Sequence, residues 1–187
     1  MIILASQSPR RKEILTEMGV SFRVVPSHYE EDNTRLMSPE ALVRMQAEGK
    51  AQDVWERTGG AAPVLGADTL VVLDGRVLGK PADADDAARM LSALSGRAHE
   101  VMTGVAVMSR TGMHSAAAVS RVTFRSLTEA EIRAYIATGE PMDKAGAYAV
   151  QGLGGQLVQQ VEGSLSNVIG LPKTLTKELL RRAEEMG

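Results

Sequence analysis

The first fifteen residues constrain the fold more than any other stretch of this 187-residue chain. Ile2-Ile3-Leu4-Ala5 is a short apolar run of the kind that fills a buried strand. Ser6-Gln7-Ser8 is a tight polar turn, and Pro9-Arg10-Arg11-Lys12-Glu13-Ile14-Leu15 reads as the start of a helix. Ser8 suits the N-cap, and Pro9 suits the first helical position, where its missing N–H costs nothing. The free N–H groups and the positive dipole end of such a helix face the serine turn, which makes a cradle for an anion. Arg10 and Arg11 add two guanidinium forks that match phosphate oxygens. The plainer alternative is an ordinary capped helix with two solvated arginines.

Punctuation along the rest of the chain predicts an α+β fold with a mixed, twisted β-sheet and flanking helices. The first helix should run from Pro9 to about Met18 and stop at Gly19, followed by a strand over Phe22 to Val25 and an acidic turn with Glu30, Glu31 and Asp32. Ser38-Pro39 opens a second helix, which carries Leu42, Val43, Ala47, Ala51 and Val54 toward a core and Lys50 among them. Val64 to Ala67 reads as a short buried strand that ends at Asp68-Thr69, with Leu70 to Leu73 continuing into an Asp74-Gly75 hairpin turn. Asp68 is therefore expected at a strand end. A helix from Asp83 closes at Gly96, and His99 to Arg110 and Met113 to Phe124 form a hairpin. Thr128-Glu129-Ala130-Glu131 is a capping box before another helix, which Gly139 ends. A strand over Gln156 to Val161 and a terminal helix over Pro172 to Met186, with Leu175, Leu179 and Leu180 inward, complete the pattern. No repeat or linker divides the chain, so residues 1–187 are read as one domain.

Composition excludes several classes of function. A formal net charge of −2 and only one Trp, three Tyr and two Phe argue against a stable nucleic-acid binder, which needs basic excess and stacking surface. The absence of cysteine removes disulfides, thiolate metal sites and a cysteine nucleophile, and fits a reducing cytoplasm. Met1 to Ala5 is too short for a signal-peptide core, and no segment has the length of a membrane span. His28, His99 and His114 lack metal-ligand spacing and are expected at the surface or behind a site.

Ser6-x-Ser8-x-Arg10-Arg11-x-x-x-Leu15 beside an N-terminal strand resembles the signature of the Maf family of nucleoside triphosphate pyrophosphatases. Further matching motifs follow in order: Gly66-Ala67-Asp68-Thr69, Leu78-Gly79-Lys80-Pro81, Ser95-Gly96-Arg97, Gly139-Glu140-Pro141-Met142-Asp143-Lys144-Ala145-Gly146-Ala147-Tyr148, Gln151-Gly152 and Ser164-x-x-Asn167-x-x-Gly170-Leu171-Pro172. One departure is Ala149, where the family pattern has glycine. The resemblance implies two lobes around a cleft and cleavage of a nucleoside triphosphate between its α and β phosphates.

Such a reaction needs charge neutralisation, a positioned water and a group to deprotonate it. Lys50 and Lys80 are cations that would converge with Arg10 and Arg11 on the triphosphate, while Ser6 and Ser8 line the turn. Glu31 and Asp68 are hard oxygen ligands suited to a divalent cation, Mg²⁺ or Mn²⁺, although Glu31 also reads as part of an exposed acidic loop. The family implies that Asp68 is the proton acceptor for the attacking water, with a metal-ligand role for the same carboxylate left open. It also implies base-specificity roles for Arg10, Thr69 and Gln151, and these match the branch that hydrolyses dTTP and UTP. Gln151 offers both a donor and an acceptor, as a uracil or thymine edge requires. Modified pyrimidine nucleotides are left open as substrates. The competing readings are the 7-methyl-GTP branch and a nucleotide-binding regulator of cell division and septum formation. Asp143-Lys144 is read equally as a structural ion pair or as ligand contacts, and the assembly, monomer or homodimer, stays open.

Overall fold

The computed structural model describes residues 1–184; Glu185 and Met186, the end of the expected terminal helix, lie outside the described residues. β1 (Ile2–Leu4) leads through the serine turn into α1 (Pro9–Glu17), β2 (Phe22–Val24) and the long α2 (Pro39–Arg57). β3 (Val64–Leu73) turns into β4 (Arg76–Leu78), followed by α3 (Ala84–Leu94), β5 (Ala98–Ser109), β6 (Gly112–Phe124) and α4 (Glu129–Ala137). Three short 3-10 turns at Glu140–Asp143, Ala145–Ala147 and Leu153–Leu157 precede β7 (Val158–Glu162), α5 (Leu165–Ile169) and α6 (Lys173–Glu184). Ser8, Ser38, Asp83 and Thr128 cap their helices through side-chain acceptors, each contributing about 1 kcal/mol.

The seven strands run β2-β1-β3-β5-β6-β7, with β4 paired to β3 off this path. β1 is parallel to β2 and β3, and the other pairings are antiparallel, so the sheet is mixed as expected. The placement of Asp68 differs from the sequence reading. β3 is one unbroken strand of ten residues, and Asp68 lies in its middle. What lets the buried Asp68 line a cleft is a gap along one side of β3. β1 pairs only as far as Leu65, and β4 begins pairing at Val71, so Gly66 to Leu70 have no neighbouring strand on that side. β5 covers the other side without interruption.

Alternation along β3 then decides what each side chain meets. Leu70 and Val72 pack under α2 with Leu42 and Val43. On the opposite face, Leu65 and Ala67 pack with Leu4, Leu15 and Leu179, whereas Val71 and Leu73 join Leu91, Phe124 and Tyr135. Thr69 falls between these last two clusters. Neighbours in a strand normally serve opposite faces, but at an open edge Asp68 and Thr69 can reach the same cleft.

Close helix–sheet contact brings α2 to this edge. A Cβ at Gly66 would lie 2.5 Å from the Ala47 carbonyl oxygen, and one at Gly104, the register partner of Asp68, 2.2 Å from that of Val43. Without side chains at these two positions, α2 can rest directly on β3 and β5, with Gln46 and Lys50 close to Asp68.

Of the two positions expected for His99, at the surface or behind a site, it takes the second, buried against the cleft-lining Tyr148. Its Nε2 is 2.6 Å from the Tyr148 hydroxyl, with the Phe124 and Tyr148 rings edge-on to it. Burial pushes its pKa down from 6.5 to about 4. Between those values the unfolded chain binds a proton that the folded chain does not, so stability falls as pH drops through this window, by up to about 1.4 kcal/mol per pH unit. His99→Gln, which keeps a polar partner for Tyr148, is expected to lose less melting temperature than the native protein between about pH 7 and about pH 5. Parallel losses in a thermal-melt series would show that other groups control the acid response.

Candidate active site

A cleft of about 640 Å³ opens at the unpaired stretch of β3. It is lined by Ser6, Ser8, Arg10 and Arg11 from the start of α1, Glu31 from the loop after β2, Lys50 from α2, Asp68 and Thr69 from β3, Lys80 from the segment after β4, and Gln151. The candidate residues read from the sequence therefore share one cavity. It lies beyond the carboxyl end of β1, between connections that run to opposite sides of that strand, a common ligand position in sheets of parallel strands.

Lys50 is the hub. Its ammonium donates to Glu31 Oε1 at 2.6 Å, to the Ala67 carbonyl at 3.1 Å and to Asp68 Oδ1 at 3.4 Å. Burial pushes the Asp68 carboxyl above the usual carboxylate range, and the nearby Lys50 charge opposes that rise. For Glu31, burial also acts upward, but Lys50, through charge and hydrogen bond, leaves the net shift downward. The two carboxylates thus differ in character, with Asp68 the better proton acceptor and Glu31 the more firmly ionised.

Arg10 and Arg11, equivalent in the sequence, are not equivalent in the fold. Arg11 donates from Nε to the Gly170 carbonyl at 2.9 Å, and from its two terminal nitrogens to Ser6 Oγ at 3.2 Å and Thr69 Oγ1 at 3.0 Å. Thr69 Oγ1 is also 2.9 Å from Thr103 Oγ1, which donates in turn to the Asn167 carbonyl. Arg11 is thus a tie between α1, β3 and the loop after α5. Arg10 and Lys80 make no hydrogen bond or ion pair among the described residues, so each enters the cleft as an uncommitted cation. Ser8 is the N-cap of α1, its Oγ accepting from the Arg11 amide.

Gln151 is exposed on the cleft rim, on a loop whose geometry is held from behind. Glu140 accepts from the Tyr135 hydroxyl at 2.9 Å and from the Leu153 and Gly154 amides, and the Ala149 amide donates to the Tyr135 oxygen at 3.1 Å. Ala149 is not among the residues with positive φ, so it fits there without strain. Asp143 and Lys144 form an ion pair at the cleft wall.

The sequence reading missed Gln46, which is fully buried and donates to Asp68 Oδ2 at 2.6 Å. The available signal was a polar side chain within the apolar stripe of α2, one turn before Lys50. Thr103 gave no comparable signal, as a threonine in a strand is ordinary.

A family model described as Maf-like protein matches residues 1–183. The chain belongs to the Maf family. A protein of Anaeromyxobacter sp. named dTTP/UTP pyrophosphatase is 53% identical, covering 97% of this chain and 89% of the relative. Relatives of the same name from Gloeobacter violaceus and Escherichia coli are each 48% identical, cover 96% of this chain, and are themselves covered over 94% and 91% of their lengths. The Maf match spans every residue named above as lining the cleft.

Proposed function

We propose that this protein hydrolyses dTTP and UTP to the nucleoside monophosphate and pyrophosphate. The Maf relatives, similar over nearly the whole chain, carry that name, and the cleft holds the groups the reaction requires. The observation that carries the chemistry is the clustering of a buried carboxylate, Asp68, with Lys50 and two uncommitted cations, Arg10 and Lys80, in one cavity. Arg10 and Lys80 meet phosphate oxygens, and the α1 N-terminus adds its amide dipoles. Asp68 Oδ1 takes the proton of the attacking water as the anhydride bond between the α and β phosphates breaks, and pyrophosphate leaves. Lys50 holds that carboxylate and Glu31 at one point.

Three oxygens, from Glu31, Asp68 and the Ala67 carbonyl, already converge on the Lys50 ammonium, so this donor set suits a hard cation. A divalent ion held by one or two carboxylates takes the rest of its shell from phosphate and water. Glu31 and Asp68 are the residues that would hold Mg²⁺ or Mn²⁺, and such an ion, when bound, supplies charge neutralisation and a more acidic water. The septum-regulator and 7-methyl-GTP readings are not favoured, since the relatives carry the dTTP/UTP name. Among the described residues no helix is long and apolar enough to cross a membrane.

Pyrophosphate release measured across dTTP, UTP, CTP and GTP, with divalent ion and with chelator, tests the reading directly. Within that series Gln151→Ala is expected to narrow the preference for dTTP and UTP by about tenfold, because a base edge left without its polar partner loses discrimination. The exposed position of Gln151 predicts an unchanged melting temperature. An equal loss on all four substrates would mean that Gln151 does not read the base.

A further inference from the structure

Gln46 is wholly enclosed, one helical turn before Lys50, and each polar atom of its amide has a partner. The Asp32 backbone amide donates to Gln46 Oε1 at 2.7 Å. A backbone N–H can only donate, so this contact fixes which end of the side-chain amide is oxygen. Nε2 must then point the other way, and its two protons go to Asp68 Oδ2 at 2.6 Å and Asn33 Oδ1 at 3.1 Å.

One side chain thereby joins the loop that carries Glu31 to the strand that carries Asp68. It also divides the labour of the Asp68 carboxylate. Oδ2 is occupied by Gln46, and Oδ1 is the oxygen turned to Lys50. A carboxylate held at only one oxygen, by the 3.4 Å contact to Lys50, could rotate about its terminal torsion, which is broad for aspartate. A second, short hydrogen bond from a buried donor removes that freedom.

We propose that Gln46 is a positioning residue that locks the Asp68 carboxylate through Oδ2, presents Oδ1 to the reacting water, and ties the Glu31 loop to β3. The proposal rests on the reading that Asp68 does the chemistry. Gln46 touches neither the water nor the phosphates. Its contribution belongs in the turnover step, where a small misplacement of a catalytic group is expensive, rather than in nucleotide affinity.

The test is Gln46→Met, which keeps the length of the side chain and neither donates to Asp68 nor accepts from Asp32. The expected result is a kcat at least about tenfold lower, a KM for dTTP within about threefold of native, and a retained cooperative melt. A kcat within about twofold of native in the folded variant would overturn the proposal, as would a loss confined to KM. A second measurement uses the side-chain amide protons of Gln46 in the native protein, followed by NMR hydrogen exchange. They are expected to be protected, with protection falling on Asp68→Ala, which leaves no acceptor at this position; fast exchange in the native protein, or protection indifferent to Asp68→Ala, overturns the bridge even if Gln46→Met fails to fold. A native protein that released no pyrophosphate from dTTP or UTP would sink the functional reading instead, and the NMR arm would still decide the Gln46 contact.

Discussion

Asp68→Asn is expected to lower pyrophosphate release from dTTP and UTP by roughly a hundredfold or more. The substitution keeps the shape of the side chain but removes its charge and its ability to take a proton. It also creates a local mismatch. Gln46 Nε2 and Lys50 Nζ both donate to the carboxylate, and an amide offers only one acceptor oxygen, so one of the two donors must face the new NH₂ group. Stability should move the other way. Burial works against the ionised form of Asp68, and a neutral amide is released from that desolvation cost. The melting temperature of Asp68→Asn is therefore expected to equal or exceed that of the native protein. A folded variant with near-native turnover would remove Asp68 from the chemistry, and a variant that unfolds readily would assign it to the core.

Arg11→Ala should produce the largest loss of stability among the cleft variants. Three hydrogen bonds from a desolvated guanidinium disappear together, and the Gly170 carbonyl, Ser6 Oγ and Thr69 Oγ1 lose the donor they share. At about 1 kcal/mol or more for each, the cost is about 3 kcal/mol, or roughly 10 °C in melting temperature for a chain of this size. Activity falls as well, on every nucleotide alike, because the tie between α1, β3 and the loop after α5 shapes the whole cleft. Lys80→Ala is the control. With no hydrogen bond or ion pair among the described residues, and only a longer-range attraction to Glu31, Lys80 has no such structural debt, so its removal should leave the melting temperature within about 2 °C and weaken catalysis on all triphosphates equally. Thermal melts and kinetics on dTTP, UTP and CTP decide the matter; similar melting temperatures for the two variants would show that the Arg11 contacts carry little energy.

The contrast between these residues marks how far the sequence could be read. Ser8, Ser38 and Thr128 were recognisable as helix caps because a cap depends on a residue and the amides three positions on. The apolar stripe of α2 and the hairpin of β5 and β6 were legible for the same reason, since periodicity is a property of neighbours along the chain. The motifs around Ser6, Lys80, Asp68 and Gln151 named the contributors to the cleft. They carried no information about which contributor would be free and which committed.

That assignment came from contacts between distant parts of the chain. Arg10 and Arg11 are adjacent, yet the rotation of α1 by one residue sends one guanidinium to the Gly170 carbonyl, 159 positions away, and leaves the other open to the cleft. The apolar run Val64 to Ala67 stops at Asp68-Thr69, which reads as a strand end. The strand instead runs through, and the site exists because β1 stops pairing at Leu65 and β4 starts at Val71. His99 and Gln46 were likewise unremarkable until packing enclosed them. Helix starts, strand periods and reactive side-chain types follow from local chemistry and could be taken from the chain as written. The open edge of β3, the burial that sets Asp68 apart from Glu31 and the amide that holds Asp68 depend on sheet register and helix docking, which bring together residues that no local rule connects.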